Sequence, residues 1–229
     1  MNLPNAFTAG RIAITPLVAW LPLAPSSALR LTAFVLFIVA AVSDYVDGHL
    51  ARSRKQETDL GRLLDPLADK LLLIGTFVPM FALMHPAGGG DVAAGLASRA
   101  LSLYDLPFLT PWGDVGLPWW IVALVLGREI GMTVFRQAAA RRGVVIAAIG
   151  PAKWKTAFQL IWQGAAYFWF FVATVALKTG WSGASWRLVA FFIGIVGTLT
   201  MTVAVVLTVY SLWLYVSRYR RVFIASRAS

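Results

Sequence analysis

Apolar residues along the chain form six runs, each long enough to cross a bilayer as a helix, with polar and charged positions between them. About 20 apolar residues suffice for one crossing, because each helical residue adds about 1.5 Å along the axis. The runs predict helices over residues 8–23, 31–51, 60–84, 118–138, 156–177 and 188–217. The pattern therefore predicts an all-α, polytopic membrane protein: a bundle of six transmembrane helices that forms a single domain over residues 1–229.

The segments between these runs are predicted to lie at the membrane surfaces. Residues 1–7, which include Pro4, are expected to form a short N-terminal interfacial segment. Residues 85–117 are rich in glycine and proline, which predicts a connection, with a short interfacial helix over 93–103. Residues 143–155 are predicted to form a turn.

The first run has an alternative interpretation as a signal peptide, because residues 24–28 vaguely resemble a cleavage site. A retained helix is preferred for two reasons. Arg11 is the only basic residue of the amino-terminal region, and the run is interrupted by Pro16 and Pro22.

Composition excludes a soluble domain, because 59% of the 229 residues are hydrophobic and the mean hydropathy is +0.73. Cysteine is absent, which excludes disulfides, thiolate metal sites and a cysteine nucleophile. The net charge is +10, but the basic residues flank apolar runs and form no basic stripe. No nucleic-acid partner is therefore expected.

The distribution of Lys and Arg predicts the orientation in the membrane. If the turn at 52–62 faces the cytoplasm, sixteen of the twenty basic residues lie on that side. The other four lie outside, at Arg30, Arg99, Lys178 and Arg187. Basic loops stay in the cytoplasm, so both termini and the 52–62 turn are predicted to face it.

The second and third runs are each polar at the end nearest this turn, and four aspartates lie there: Asp44, Asp47, Asp65 and Asp69. On a helix, positions 44, 47, 48 and 51 share one face, and positions 61, 65 and 69 share another. If the two helices pack antiparallel, these faces meet. Small residues then leave room for a ligand, at Gly48, Ala51 and Gly61.

Ionised carboxylates in a bilayer need compensation, because each costs about 2.5–3.5 kcal/mol at a helix centre on insertion scales. A bound cation supplies it, and all-oxygen ligands favour Mg²⁺ or Mn²⁺, with Ca²⁺ less specific. One alternative is four unrelated carboxylates at solvated helix ends. Another is a divalent-cation transporter with an acidic permeation path, although the outer halves of these two helices are mostly apolar.

The spacing of this acidic segment resembles, at all eight positions, the motif of the CDP-alcohol phosphatidyltransferases: Asp44-x₂-Asp47-Gly48-x₂-Ala51-Arg52-x₈-Gly61-x₃-Asp65-x₃-Asp69. The resemblance implies a homodimeric membrane enzyme with six transmembrane helices, which transfers a phosphatidyl group from a CDP-linked lipid to an alcohol and releases CMP. The size of the chain and the resemblance imply the cell (inner) membrane, where the orientation predicted from Lys and Arg makes the site face the cytoplasm.

The resemblance also implies roles for individual residues. Two Mg²⁺ or Mn²⁺ ions would be held by the four aspartates, and Asp69 would also take the proton of the acceptor hydroxyl. Binding of the CDP-lipid is implied for Asn5, Thr8, Gly48, Ala51, Arg52, Thr58 and Gly61. Plain helix capping is the alternative for Asn5 and Thr8.

Other segments are similar to the phosphatidylglycerophosphate synthase branch of that family, among them Arg128-Glu129-Ile130 and Lys153-x-Lys155-Thr156-x₂-Gln159. This implies transfer from CDP-diacylglycerol to sn-glycerol 3-phosphate, which gives phosphatidylglycerophosphate and CMP. The acceptor phosphate is predicted to bind Arg128, Arg136, Lys153 and Lys155. Attraction of these residues to anionic lipid head groups is the alternative.

One position departs from that branch. Gly150-Pro-Ala-Lys153 stands where the branch has glycine directly before the lysine. Inositol phosphate, and phosphatidylglycerol as in cardiolipin synthases, therefore remain alternative acceptors.

Overall fold

A computed structural model describes the chain over residues 3–54, 59–85, 101–141 and 150–224. Within these ranges only the backbone is described at 3–5, 44–54, 59–63, 65, 151–152 and 218–224.

The described residues form six α-helices, a 3-10 turn and one small hairpin. The helices are α1 (Leu3–Trp20), α2 (Ser27–Arg54), α3 (Asp59–Met84), α4 (Trp119–Ala140), α5 (Gly150–Thr179) and α6 (Ala184–Ile224). The 3-10 turn is Leu21–Leu23, and the hairpin joins strands β1 (Phe108–Thr110) and β2 (Gly113–Val115).

Four stretches of the described residues are long and apolar enough to cross a membrane: Ala6–Leu23, Pro66–Met84, Lys153–Thr179 and Ala184–Ser217. A shorter apolar helical stretch lies at Ser27–Ser43. These stretches confirm the prediction of an all-α, multi-pass membrane protein. The total of six crossings stays a prediction.

Five helices begin earlier than the apolar runs predicted, and the difference is largest at α1 and α5. α1 begins at Leu3, so residues 3–7 of the predicted interfacial segment belong to the helix. α5 begins at Gly150, so Lys153 and Lys155 lie in its first two turns rather than in a turn of the chain. Both helices have a proline as their second residue, where its missing N–H removes no helical hydrogen bond.

The connection between α3 and α4 contains structure that the sequence did not predict. Of the predicted interfacial helix at 93–103, residues 101–103 are described and are not helical, and residues 93–100 lie outside the described part of the chain. After it, β1 and β2 pair antiparallel, and Gly113 closes the turn with φ 129°, a conformation that favours glycine.

The hairpin packs directly against the backbone of α6. A Cβ atom at Gly194 would lie 1.8 Å from the carbonyl oxygen of Leu109, and one at Gly197 would lie 2.3 Å from the ring of Phe108. The Trp169 Nε1 of α5 donates hydrogen bonds to the carbonyl oxygens of Leu106 and Pro107, both at 3.0 Å. Glycine at these two positions of α6 is therefore what admits β1.

A fully buried arginine fastens the same end of the bundle. Arg30 donates from Nε to the carbonyl oxygen of Pro22 at 2.9 Å, and from Nη2 to that of Leu103 at 2.6 Å. Its Nη1 donates to the hydroxyl of Thr174. The guanidinium of Arg30 thus joins three segments: the 3-10 turn after α1, the connection before β1, and helix α5. These hydrogen bonds satisfy a charge that would be costly alone in an apolar environment.

At the other end, the helices leave a polar cavity. α1 packs against both α2 and α3, and α5 packs against α2 and α6. Buried aromatic contacts join them, among them Phe77 with Trp162 and Phe37 with Tyr167, each with ring centroids 5.3 Å apart. The Tyr167 hydroxyl donates to the carbonyl oxygen of Val18 at 3.0 Å. This core holds the walls of the cavity in place.

Candidate functional site

The polar cavity has a volume of about 190 Å³ and takes lining residues from α1, α2, α3, α4 and α5. Its polar lining comprises Arg11, Asp69, Glu129, Lys155, Thr156, Gln159 and Gln163. The formal charges of the lining balance, because two cationic residues, Arg11 and Lys155, are matched by two anionic residues, Asp69 and Glu129. Small polar or anionic molecules therefore meet a cavity whose charges are already paired.

The first pair joins α1 to α3. The guanidinium of Arg11 is almost completely buried, and its Nη1 donates to Asp69 Oδ1 at 2.8 Å. The Asp69 side chain is 56% exposed, so this carboxylate opens towards the cavity mouth while the arginine holds it from behind. The sequence did not lead us to predict a partner for Arg11. The signal was available, because a lone arginine within an apolar run needs an anionic partner.

The second charged group is centred on Glu129 of α4, which contacts two cations. Arg128 Nη1 donates to Glu129 Oε1 at 2.8 Å, and Lys155 Nζ donates to the same oxygen. Arg128 also donates from Nη2 to Ser211 Oγ of α6 at 3.1 Å. Glu129 thus holds two cations together, a role that the sequence reasoning missed, because it treated Glu129 only as part of a matching segment.

The four predicted acceptor-binding residues divide into two sets. Lys155 lines the cavity, and Arg128 lies behind it on the shared carboxylate. Arg136 donates from Nη2 to the Tyr215 hydroxyl at 3.3 Å and lies 5.8 Å from the centre of that ring. Lys153 is exposed. The structure therefore brings Lys155 and Arg128 together, whereas Arg136 and Lys153 are outside the cavity lining.

Three of the four aspartates of the predicted metal site have only their backbone described. Asp44 and Asp47 occupy helical positions in α2, and Asp65 occupies one in α3, but only their backbone is described. Among the residues with described side chains, no group of three or more His, Cys, Asp or Glu is placed to hold a metal. Asp69 fits such a site, because its carboxylate is a hard oxygen ligand open to the cavity.

Helical periodicity relates these positions to the cavity. Ala41 of α2 lines it, and positions 44 and 48 follow one and two turns later on the same face. Asp69 lines it from α3, and position 65 lies one turn earlier on that face. The motif-bearing faces of both helices therefore run towards the same cavity.

The residues predicted to bind the CDP-lipid are described unevenly. Thr8 is buried on α1, one turn before Arg11. Thr58 lies outside the described residues. Only helical backbone is described for Asn5, Gly48, Ala51, Arg52 and Gly61.

An apolar groove adjoins the polar cavity. It has a volume of about 1050 Å³ and runs between α2, α5 and α6, with Pro111 of the hairpin at its far end. Ala41 and Leu160 line both spaces. A molecule with a polar head and long apolar chains is the kind of ligand that such a pair of adjoining spaces accommodates.

The sequence matches one known protein family over most of its length. The pattern of the CDP-alcohol phosphatidyltransferases matches residues 1–215. The chain belongs to the CDP-alcohol phosphatidyltransferase family. This confirms the resemblance that the spacing of the aspartates suggested.

Relatives within the family carry two kinds of name. The chain is 34% identical over 163 residues to a probable phosphatidylglycerophosphate synthase of Mycobacterium tuberculosis, across 70% of this chain and 63% of that protein. It is 31% identical over 172 residues to the CDP-diacylglycerol–glycerol-3-phosphate 3-phosphatidyltransferase of Bacillus subtilis, across 70% and 73%. It is 29% identical over 195 residues to a CMP-forming cardiolipin synthase of Streptomyces coelicolor, across 81% and 75%.

These alignments limit what carries over to this member of the family. The chain matches less than two-thirds of the length of the mycobacterial protein. The names also differ in the acceptor that they imply.

Proposed function

We propose that this chain transfers the phosphatidyl group of CDP-diacylglycerol to sn-glycerol 3-phosphate, forming phosphatidylglycerophosphate and CMP. The observation that carries the proposal is one cavity that combines an open carboxylate of the family motif, Asp69, with a buried cation, Lys155. Two relatives at 34% and 31% identity are named for this activity, which supports the acceptor choice.

The donor lipid would lie across the boundary between the two spaces. Its acyl chains fit the apolar groove, and its head group reaches the polar cavity past Ala41 and Leu160. We assign CDP-lipid head-group contacts to the motif positions and to the start of α1, namely Asn5, Thr8, Gly48, Ala51, Arg52, Thr58 and Gly61. A planar guanidinium such as that of Arg52 matches phosphate oxygens well.

Two divalent ions, Mg²⁺ or Mn²⁺, are expected at Asp44, Asp47, Asp65 and Asp69. When bound, they would neutralise the phosphoryl oxygens and stabilise the attacking and leaving oxygens. The placement of the two motif-bearing faces supports this set.

Asp69 is the proposed base. The acceptor oxygen forms a bond to the phosphorus that carries diacylglycerol, the bond from that phosphorus to the CMP oxygen breaks, and the hydroxyl proton goes to Asp69. Arg11 fixes this carboxylate through its 2.8 Å hydrogen bond.

The phosphate of the acceptor would bind at Lys155 and Arg128. Both cations are held by Glu129, so an incoming phosphate competes with one carboxylate oxygen for two cations that are already in place. Arg136 and Lys153 are proposed to attract the acceptor at the rim, because they are outside the cavity lining.

An acceptor panel tests the proposal. Purified protein in nanodiscs with CDP-diacylglycerol and Mg²⁺ is offered glycerol 3-phosphate, inositol phosphate or phosphatidylglycerol, and lipid products and CMP are measured by mass spectrometry. We expect phosphatidylglycerophosphate and CMP in equal amounts. Cardiolipin from phosphatidylglycerol, with no product from glycerol 3-phosphate, would instead support the function named for the Streptomyces relative. Metal uptake into liposomes without CMP release would favour the transporter.

Orientation and assembly complete the proposal. The excess of basic residues on one side supports a site at the cytoplasmic face of the inner membrane. A homodimer is supported by α4, where Gly127 and Gly131 are exposed and a Cβ atom added at either would meet no atom within 4 Å. Small residues on an open helix face allow close helix–helix approach in a membrane.

A further inference from the structure

Gln159 of α5 is a buried polar residue in the cavity wall that the reaction as proposed does not use. It is 6% exposed, and its Oε1 atom is buried. The described residues provide no hydrogen-bond donor for that oxygen. One turn further along α5, Gln163 differs, because its Nε2 donates to Thr76 Oγ1 at 2.9 Å.

A buried acceptor without a donor is costly, so native proteins rarely retain one without a reason. Here the reason is supplied by location, because Gln159 lines a cavity large enough for a small polar molecule. A hydroxyl group that enters the cavity would give Oε1 the donor that it lacks.

The register of α5 indicates which hydroxyl this is. Lys155, Gln159 and Gln163 follow one another at intervals of four residues and all line the cavity. Four residues correspond to about 6 Å along a helix axis. An acceptor that places its phosphate at Lys155 therefore brings its carbon chain alongside Gln159, before its terminal hydroxyl reaches Asp69.

We propose that Gln159 is a specificity-determining residue, whose Oε1 accepts a hydrogen bond from the acceptor hydroxyl adjacent to the one that attacks. This rests on the proposed transfer to a polyol phosphate and adds how the polyol is recognised. Of the other polar groups in the wall, Glu129 is engaged by Arg128 and Lys155, and Asp69 is assigned to the attacking hydroxyl.

The test compares two acceptors that differ only in that hydroxyl. Glycerol 3-phosphate carries it, and 3-hydroxypropyl phosphate lacks it but keeps the phosphate and the terminal hydroxyl. We expect wild-type kcat/KM to be about 10-fold or more higher with glycerol 3-phosphate, because a site that hydrogen-bonds a hydroxyl rejects an analogue without it. In Gln159→Met the ratio should fall to about 3-fold or less, with the rate on 3-hydroxypropyl phosphate little changed.

Two further variants separate recognition from folding. Gln137→Met makes the same change at an exposed position of α4 and should keep the wild-type ratio. Gln159→Glu keeps an acceptor oxygen at the same place, so it should keep the preference, while its charge raises KM for both phosphates. If the Met variant fails to fold, the Glu variant still tests the proposal. A thermal-shift assay shows which variants are folded, because CDP-diacylglycerol should stabilise only a folded protein.

The outcomes distinguish the two proposals. If glycerol 3-phosphate is used but wild type shows no preference, Gln159→Met keeps the preference, or Gln159→Glu loses it, the assignment of Gln159 is overturned and the proposed function stands. If wild type transfers to neither phosphate, the proposed function fails and the assignment fails with it.

Discussion

Replacing Arg11 by Met removes the hydrogen bond that fixes Asp69 but keeps a side chain of similar length in the buried position. Removal of one partner of a fully buried ion pair costs about 3–5 kcal/mol, because the other charge is left uncompensated. Here the remaining partner, Asp69, is 56% exposed and keeps much of its hydration. The variant also no longer has to bury a guanidinium. We therefore expect the thermal midpoint in detergent to change little.

The effect on turnover should be larger than the effect on stability. A hydrogen bond to a charged group contributes about 1.5–3 kcal/mol. If that restraint is fully used in the transition state, kcat falls by about 10- to 150-fold. CMP release from CDP-diacylglycerol and glycerol 3-phosphate measures kcat, and thermal unfolding is recorded on the same samples. Arg187→Met, at an exposed position of α6, is the matched control and should leave both unchanged.

Unchanged kcat in Arg11→Met would refute the positioning role of the ion pair. A large fall in the thermal midpoint would show instead that Arg11 mainly fastens α1 to α3.

Three further predictions address the base, the acceptor subsite and the fold. Asp69→Asn should abolish turnover but leave CDP-diacylglycerol binding intact by thermal shift; measurable turnover would exclude the base role. Lys155→Met should raise KM for glycerol 3-phosphate at least about 10-fold but KM for the CDP-lipid by less than about 3-fold. Lys178→Met is the control. Equal rises in the two KM values would contradict a separate acceptor subsite. Gly194→Val should lower stability by about 1–3 kcal/mol or more, since its Cβ would lie 1.8 Å from a backbone oxygen of β1. Gly164→Ala, whose Cβ makes an ordinary 3.5 Å contact, is the control, and equal thermal midpoints for the two variants would argue against tight packing of the hairpin.

The helical architecture was predictable because membrane crossings impose long apolar runs that a single sequence displays directly. The predicted third helix, 60–84, differs from α3 by one residue at its start. Helix starts were less predictable where polar residues extend a helix beyond the apolar core, as at Lys153 and Lys155 in α5. The hairpin was missed because its glycine and proline residues suggest irregular loop, whereas its stability comes from packing against α6.

The four aspartates stood out in the sequence because carboxylates in an apolar setting are costly and because their spacing is regular; the metal site that they suggest stays a prediction. Their partners were harder to find, because pairing is decided by the packing of distant segments. Arg11 and Asp69 are 58 residues apart, and Lys155 and Glu129 are 26 apart. Gln159 was visible in sequence only as one position of a matching segment. What makes it informative is a buried oxygen in a cavity wall, which only a three-dimensional arrangement shows.

We propose that the motif aspartates, the acceptor cavity and the lipid groove form one metal-dependent site. The most direct measurement is anomalous diffraction from crystals grown with Mn²⁺ and CDP-diacylglycerol. We expect two manganese peaks among Asp44, Asp47, Asp65 and Asp69, with the nucleotide beside them and the acyl chains in the groove between α2, α5 and α6. Manganese bound elsewhere, with these four side chains pointing apart and no nucleotide between them, would contradict it.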